Sequence, residues 1–419
     1  MKHFEHGTRR RLRVLVLAPQ PFFQNRGTPI DVLLLLKALS ERSGKKVDVL
    51  AYPEGEDVQL PGLTLYRVPL FINLRGVRPG FSLKKLLLST AMFFTALKMA
   101  HCNRYDLLHA GEDAVFMAMV IRWLYQIPYV YDIDSSMAQQ MVEKYPRLTL
   151  LASLFNWLES RAIRGALANA PVCHALRELC EKNQSRKTVT LHDISQLGDP
   201  DLAKTGQLSR EIGRNGPILL YSGNLEAYQG VDLLIDSMPH VLAENSTVQL
   251  VIIGGVAEDI EYYRGKAVRL KIEGNVHFLG PRPFDQLDQY LAEADILVAP
   301  RIKGVNTPMK IFPYLHSGKP VLLTRLPTHT QIVTDQEAFL ADPEPRAFAQ
   351  GILALAADPA LRQRLGKQGR AFVEKEHTYA AHKRRVDELY DWLEGQINTP
   401  AASAAVIEPC RESNTDYRT

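Results

Sequence analysis

Residues 217–255 read "PILLYSGNLEAYQGVDLLIDSMPHVLAENSTVQLVIIGG", and this stretch decides the fold of the second half of the chain. Two short apolar runs, 217–223 and 248–255, flank a segment in which apolar residues recur at helical spacing, 231–243. A strand, a helix and a strand of these lengths predict a βαβ unit with parallel strands. Gly223 and Gly230 bound the loop between the first strand and the helix, and such a loop can hold phosphates through its backbone amides.

The same alternation of short apolar strands and helices extends in both directions from this unit. It predicts two doubly wound α/β halves, with a polar hinge at 199–215 between them. The further predicted strands are 13–19, 46–53, 106–111, 128–134, 187–195, 276–280, 295–300 and 320–324. The predicted helices are 29–40, 114–125, 285–293, 308–316 and 379–393, and 136–180 is rich in helix.

These elements predict an α/β fold of two Rossmann-like domains that face each other across a cleft. The first domain is expected at 1–200 and the second at 201–378. A last helix at 379–397 and a disordered tail at 398–419 complete the chain, because the tail has few large apolar residues. Since ligands bind at the carboxyl ends of strands in such sheets, the site candidates all come from the loops that follow the strands.

The composition excludes several classes of function. The 50 basic and 46 acidic residues leave a formal charge of +4, which is too balanced for a nucleic-acid-binding protein. The four cysteines follow no metal-ligand spacing and are expected to be free thiols in a reducing compartment. The first apolar run is too short for a secretory signal, so we expect a cytoplasmic protein.

One predicted helix could contact a membrane surface. The run Leu86–Ala100 is strongly apolar, but its uninterrupted part is about a dozen residues, short of the roughly 20 that span a bilayer. Basic residues precede it, among them Lys84 and Lys85, and this combination can rest on the surface of an anionic membrane. We interpret it first as an ordinary core helix, and peripheral contact with the inner face of the cytoplasmic membrane stays as the alternative.

Two loops offer groups that could face a phosphate. In the first half, Gly27 precedes Thr28, which is expected to cap a helix with Pro29 at its first position. In the second half, the segment "APRIKGVNTPMKIFPYLHSGKP" is expected to begin a helix at Pro308, capped by Asn306 or Thr307. Arg301, Lys303 and Lys310 bring positive charge to the start of this helix, and such charge suits a diphosphate.

The order and spacing of the second-half segments resemble those of glycosyltransferase family 4, the "glycosyl transferases group 1" family with the GT-B fold. The segments that carry the resemblance are "YSGNLEAYQGVDLLIDS", "VQLVIIGG", "VHFLGPRPFDQLDQYLAEADILVAPR", "SGKPVLLT" and "ALAADPALRQRLGKQGRAFVEKEHTY". The resemblance implies a retaining, metal-independent enzyme without a cofactor. Such an enzyme moves a sugar from a nucleotide-diphosphate donor to a glycan, lipid or other acceptor, in a pathway for a polysaccharide or related glycoconjugate.

The resemblance also implies where the substrates bind. The second domain would hold the donor and the first domain the acceptor, and the last helix would pack back on the first domain. A retaining scheme needs cations and hydrogen-bond donors for the leaving phosphate rather than a protein nucleophile. The candidate residues for this scheme are Lys310, Asn224 and Asp134 for catalysis, Gly223, Gln229, Arg301, Lys303, Asn306 and Thr307 for the donor, and Gly27, Thr28 and Glu112 for the acceptor or cleft.

Five positions depart from the family pattern. Asn224 and Gln229 stand where the family commonly has a cationic Arg and Lys. The two glutamates of the donor segment are replaced by Val305 and Pro313, and Asp134 stands where the first domain often has His. The chain is therefore interpreted as a divergent, active member that uses Lys310. The alternatives are a degenerate GT-B protein that binds a ligand or partner without turnover, and a sugar-nucleotide epimerase on the same fold.

Overall fold

The computed structural model describes residues 12–24, 27–42, 46–69, 83–137, 141, 151–198, 200–201, 203–213 and 216–398 of the 419-residue chain. The predicted tail thus lies outside the described residues from residue 399 onward. The chain divides into two compact units. The first contains residues 1–192 and 383–419, and the second contains residues 193–382.

The first unit is built on a six-stranded parallel sheet in the order β3-β2-β1-β4-β5-β6. Its strands are β1 (Arg13–Ala18), β2 (Lys46–Ala51), β3 (Leu63–Arg67), β4 (Leu107–Gly111), β5 (Tyr129–Ile133) and β6 (Ala168–Pro171). Its helices are α1 (Thr28–Ser40), α2 (Leu83–Cys102), α3 (Ala114–Tyr125), α4 (Ala152–Gly165) and α5 (His174–Lys182). The central strands are apolar on both faces because helices cover both sides of the sheet.

The second unit repeats this architecture with the sheet order β12-β11-β10-β7-β8-β9, again all parallel. Its strands are β7 (Ile218–Ser222), β8 (Gln249–Ile253), β9 (Val276–Gly280), β10 (Ile296–Ala299), β11 (Val321–Thr324) and β12 (Phe339–Ala341). Its helices are α6 (Gln207–Ile212), α7 (Val231–Glu244), α8 (Ala257–Arg269), α9 (Leu287–Glu293), α10 (Ile311–His316), α11 (Pro327–Thr330), α12 (Pro345–Ala357) and α13 (Pro359–Glu376). The last helix, α14 (Tyr379–Ile397), belongs to the first unit from Lys383 onward.

Side-chain contacts fix this last helix within the first unit. Arg42 donates from Nη1 to Asp387 Oδ1 at 2.6 Å and from Nη2 to Asp391 Oδ1 at 2.5 Å. The buried His109 of β4 meets the hydroxyl of Tyr390 through Nδ1 at 2.9 Å. Apolar residues of α14, among them Leu389 and Leu393, complete the core beneath β1 and β2.

The predicted strand at 187–195 is wrong. This segment forms a bridge between Thr188 and Asn169 of β6, and the Leu191 amide donates to the Pro171 carbonyl at 3.0 Å, but it forms no regular strand. Two short strands were not predicted in the first half, β3 and β6, because neither carries a long run of β-branched residues. Along the part of the chain that the structure covers, no helix is both long and apolar enough to cross a bilayer.

Candidate functional site

A buried lysine amine lies at the carboxyl end of the second sheet. Lys310 directly precedes α10, and its Nζ lies 4.0 Å from the centre of the Tyr221 ring of β7. Among the described residues this buried Nζ has no hydrogen-bond partner. Burial, with a smaller contribution from the charge of Arg301, lowers the pKa of Lys310 to about 7. A buried ammonium group without a partner is costly, so a site of this kind is suited to receive an anion.

Glycine residues make room for this amine. Gly223 follows β7 in a left-handed conformation, with φ at 148°, and a Cβ atom on it would lie 2.5 Å from Lys310 Nζ. Gly254 follows β8, and a Cβ atom there would collide with the carbonyl oxygen of Gly223. The two strand ends therefore approach each other through backbone atoms alone, which leaves the amine in contact with the loop after β7.

Two more buried polar atoms lack partners among the described residues, namely Oγ1 of Thr307, which lies three positions before Lys310 in the chain, and Nε2 of His329. The other ring nitrogen of His329, Nδ1, meets Thr324 Oγ1 at 3.0 Å. Burial, with smaller contributions from the charges of Arg301 and Lys310, lowers the pKa of His329 to about 4. The imidazole is therefore neutral at pH 7, and Nε2 is available for a hydrogen bond.

Arg301 brings a second cation to the loop after β10. Its guanidinium carbon lies 5.1 Å from the centre of the Tyr228 ring, and its Nη2 donates to Asn306 Oδ1 at 3.1 Å. Its Nε donates to the carbonyl oxygen of Lys303 at 2.7 Å, whereas the side chain of Lys303 is exposed. The loop thus holds Arg301 through its own backbone. The charge of Arg301 also acts on the Lys310 amine, and among the described residues no carboxylate offsets it there.

Two tyrosines that the sequence analysis did not single out shape this site. The hydroxyl of Tyr314 accepts a hydrogen bond from the Ser222 amide at 2.7 Å, and it ties α10 to β7. The hydroxyl of Tyr221 donates to the carbonyl oxygen of Asn224 at 2.6 Å and holds the loop after β7. Tyr314 lies four residues after Lys310, so the helical spacing of the two residues was the available signal.

Asn224 and Gln229 lie in the same loop but differ in accessibility. The side chain of Asn224 is exposed and donates to the Tyr228 hydroxyl at 3.4 Å, while Gln229 is buried in a short 3-10 turn. Gly230 ends this turn, and a Cβ atom on it would collide with the carbonyl oxygen of Pro300. The loop is therefore packed closely against the end of β10, and its roles in donor binding stay predictions.

The predicted start of the helix at Pro308 is wrong, and so is the prediction that Asn306 or Thr307 caps it. Residues 308–310 form turns, in which the Ile311 amide donates to the Pro308 carbonyl at 3.1 Å, and α10 begins only at Ile311. Pro313 is consequently the third residue of the helix. Proline is tolerated in the first turn, where amides have no partner in the helix, so Pro313 is compatible with a regular α10.

In the first unit, Gly27 rather than Thr28 caps α1, with φ at 45°, which corrects the predicted cap. The Thr28 hydroxyl instead donates to Glu112 Oε1 at 3.3 Å, and Lys85 Nζ donates to Glu112 Oε2 at 3.2 Å. Gly27, Thr28 and Glu112 are thus brought together near the ends of β1 and β4. Asp134 follows β5 and is partly exposed. Whether these residues contact a substrate stays a prediction.

One buried polar link in the first unit was missed by the sequence analysis. His109 Nε2 lies 3.3 Å from Asp132 Oδ2, and its Nδ1 lies against Tyr390 Oη of α14. These contacts join β4 and β5 to α14. His109 and Tyr390 are 281 positions apart in the sequence, so no local pattern could predict their contact. Within the described residues, no group of three or more His, Cys, Asp or Glu side chains could hold a metal ion.

Comparisons with known proteins agree with this architecture. Residues 216–358 match the family model described as Glycosyl transferases group 1. The phosphatidyl-myo-inositol mannosyltransferase of Mycobacterium leprae is 24% identical over 374 residues, which cover 87% of this chain and 92% of that protein. The protein of the same name from Mycobacterium tuberculosis CDC 1551 is 25% identical over 189 residues, which cover 43% of this chain and 49% of that protein. This second match spans about half the length of that relative.

A solved structure shows the fold over most of the chain. The crystal structure of Anabaena HepE in complex with UDP-glucose has a TM-score of 0.70 at 16% identity, and the match covers 91% of this chain and 100% of that chain. The family model confirms the resemblance to group 1 glycosyl transferases, and the solved structure confirms the predicted GT-B fold with two parallel α/β sheets.

Proposed function

We propose that this chain, which is similar to group 1 glycosyl transferases, is a glycosyltransferase that uses a nucleotide-diphosphate sugar as its donor. The observation that carries the proposal is the buried Lys310 amine, which has no hydrogen-bond partner among the described residues and lies beside the loop after β7. A diphosphate would supply the negative charge that this amine lacks. The binding of UDP-glucose by HepE, a protein of the same fold, supports a nucleotide-sugar donor.

The proposed reaction needs little covalent chemistry from the protein. The bond between the anomeric carbon and the diphosphate oxygen breaks, and a bond between that carbon and an acceptor hydroxyl oxygen forms on the same face. The acceptor proton passes to the leaving phosphate. Lys310 and Arg301 would stabilise the charge that develops on the diphosphate. His329 Nε2 and the Thr307 hydroxyl would add hydrogen bonds, since both are buried without partners among the described residues. The proposal includes retention of configuration and no metal ion.

Lys310 also offers a reason for the altered donor-binding residues. Asn224 and Gln229 are neutral, and the family resemblance implies cations at both positions. Lys310 reaches the same loop from the other side, since its Nζ lies against Gly223. In our proposal one lysine on the α10 side therefore replaces the cationic function that the β7 loop has lost.

The acceptor is proposed to bind the first unit, near Gly27, Glu112 and Asp134. The two mannosyltransferases to which the chain is similar act, by their names, on phosphatidyl-myo-inositol, which supports a lipid or other glycoconjugate acceptor. A polysaccharide or glycolipid pathway and a cytoplasmic location remain part of the proposal. The degenerate binding protein is the second candidate, because Val305 and Pro313 replace both glutamates of the donor segment.

A panel of UDP- and GDP-sugars distinguishes the two candidates. We expect one donor to raise the thermal stability of the protein, by about 2.7 kcal/mol at 100 times its dissociation constant. The same donor should release nucleoside diphosphate slowly to water and faster with its acceptor, and a chelator should not change either rate. Stabilisation without release of nucleotide under all conditions would favour the degenerate binding protein. Neither stabilisation nor release, with folded protein, would overturn the proposal.

A further inference from the structure

The large exposed hydrophobic side chains are concentrated on one part of the first unit. Of the twelve such side chains among the residues that the structure describes, nine lie on α2, α3 and α4 or directly before α4. The most exposed of these nine side chains are Trp123 at 75%, Phe94 at 63% and Trp157 at 57%. Because single exposed hydrophobic residues are common but large clusters are not, this concentration indicates an interaction surface.

The three helices form a continuous surface. The rings of His101 in α2 and Tyr125 in α3 lie 5.9 Å apart. A groove between α3 and α4 is lined by Arg122, Trp123 and Arg161, among others. We call this surface the α2–α4 face and define it by Phe94, Arg122, Trp123, Trp157, Arg161 and Arg164.

On α4 the apolar and basic residues share one stripe. Leu154, Trp157, Arg161 and Arg164 are exposed and are spaced by three, four and three residues, which places them on one side of the helix. The guanidinium carbon of Arg161 lies 5.8 Å from the centre of the Trp157 ring. Aromatic and cationic groups are therefore presented together rather than on opposite faces.

The charge of the three helices has one sign. They contain Lys84, Lys85, Lys98 and three arginines, whereas their sole acidic residue is Glu159. Glu159 is buried and accepts hydrogen bonds from the Ser136 hydroxyl and the Met137 amide. Lys85 is largely buried and pairs with Glu112 and Asp113, so the arginines of α3 and α4 carry the charge of this surface, and these helices expose no carboxylate.

We propose that the α2–α4 face docks on an anionic phospholipid surface. Tryptophan, leucine and phenylalanine side chains partition into the headgroup region, and basic side chains near them are attracted to anionic lipids. The inference does not rest on the chemistry proposed above, because every residue that carries it belongs to the first unit, whereas Lys310 belongs to the second. It identifies the chain as a peripheral membrane protein.

The charge argues against a second copy of the chain as the occupant. A two-fold symmetric contact brings the same patch of both copies together. Arg122, Arg161 and Arg164 would then face their own counterparts, and the three helices present no exposed acidic residue to pair with them. An anionic bilayer supplies the opposite charge over the whole area of the face.

Flotation of the full chain with two kinds of vesicle tests the inference. The probes are vesicles of phosphatidylcholine alone and of phosphatidylcholine mixed with phosphatidylglycerol. We expect binding to the mixed vesicles, weakened by salt, and little binding to phosphatidylcholine. The paired variant Arg161→Gln with Arg164→Gln should bind about 30-fold more weakly. Trp123→Ser with Trp157→Ser should weaken binding by at least about tenfold.

The matched control is Tyr262→Ser with Val268→Ser on α8, since these side chains are 58% and 55% exposed on the other unit. It should bind as the wild-type chain does. The inference is overturned if the wild-type chain does not bind the mixed vesicles, if the tryptophan pair binds normally, or if the control loses binding equally. Concentration-dependent dimers that the tryptophan pair abolishes, without vesicle binding, would also overturn it. Stabilisation by UDP or GDP, measured in parallel, separates these outcomes from a failure of the proposed function.

Discussion

The Lys310 amine lies 4.0 Å from the centre of the Tyr221 ring and 2.5 Å from the position that a Cβ atom on Gly223 would occupy. This relationship places a buried cation, stabilised by an aromatic face, at the end of the first strand of the second sheet. The proposed contact between Lys310 and the donor diphosphate depends on this arrangement, because the amine has no hydrogen-bond partner in the part of the chain that the structure describes.

The cost of burying Lys310 should appear in the stability of the free protein. We expect Lys310→Met to raise the free energy of unfolding by about 1–3 kcal/mol below pH 7, because methionine fills similar space without a charge. The pKa of Lys310 falls from 10.5 to about 7 on folding, so the native state binds fewer protons between these pH values. The wild-type free energy of unfolding should therefore rise relative to the variant from about pH 7 to about pH 10.5.

Urea denaturation at several pH values measures this difference. The advantage of Lys310→Met should be largest at pH 6 and shrink progressively toward pH 10. A difference that stays constant over the whole range, or a variant less stable than wild type at pH 6, would contradict the burial of a cation at this position.

Nucleotide binding should be accompanied by the uptake of a proton. A diphosphate favours the charged form of Lys310, so binding raises a pKa that is about 7 in the free protein. Calorimetry of UDP or GDP binding at pH 8, in buffers of different ionisation enthalpy, should show a net proton uptake that Lys310→Met abolishes. Affinity should fall as the pH rises above about 7. Equal apparent enthalpies in all buffers would show that Lys310 does not change its protonation state.

Gly223→Ala tests the space around the amine. The added Cβ would lie 2.5 Å from Nζ, and the flexible end of the lysine should move away at little cost to folding. Nucleotide affinity should fall about tenfold, because the charge leaves the position that suits the diphosphate. Gly206→Ala is the control, since Gly206 also has positive φ but has no atom within 4 Å of its added Cβ. Both variants should lose about 1–2 kcal/mol of stability from backbone strain. Loss of nucleotide affinity in both variants would show that the effect does not come from contact between the added Cβ and Lys310.

Arg42 should be important for anchoring α14. Its side chain is 12% exposed and pairs with Asp387, Asp391 and Glu394, so Arg42→Met leaves a partly buried carboxylate cluster without its cation. We expect thermal unfolding to report a loss of about 1–3 kcal/mol. Arg177→Met removes an exposed pair with Glu181 and should cost less than about 0.5 kcal/mol. Similar losses in the two variants would mean that the Arg42 cluster is no stronger than a surface pair.

Much of the fold could be predicted from the sequence, because its parallel strands are buried apolar runs that helices separate. The strand Val276–Gly280 and the helix Ala114–Tyr125 have the predicted ends. The start of α10 could not be predicted, since a proline at position 308 fits the first residue of a helix and also a turn. Lys310 was singled out as the main cation, and its predicted contact with the diphosphate remains untested.

The surroundings of Lys310 were less accessible to sequence reasoning. Its contact with Tyr221 joins residues that are 89 positions apart, and its burial depends on how the loops after β7 and β10 pack. The pattern around Arg301 and Lys303 gave equal weight to both cations, whereas the structure holds Arg301 in the loop and leaves Lys303 exposed. Tertiary packing, rather than local spacing, decides which cation faces the site.

The most direct test of the central claim is the affinity of UDP and GDP for Lys310→Met, measured by calorimetry beside the wild-type chain. The control is Lys319→Met, because Lys319 precedes β11 at the opposite edge of the sheet and its Nζ donates to the Ala292 carbonyl at 2.7 Å. The account predicts that Lys310→Met binds the preferred nucleotide about 10- to 150-fold more weakly, while Lys319→Met binds it as the wild-type chain does. Equal affinity of wild type and a folded Lys310→Met would contradict the assignment of this amine to the diphosphate.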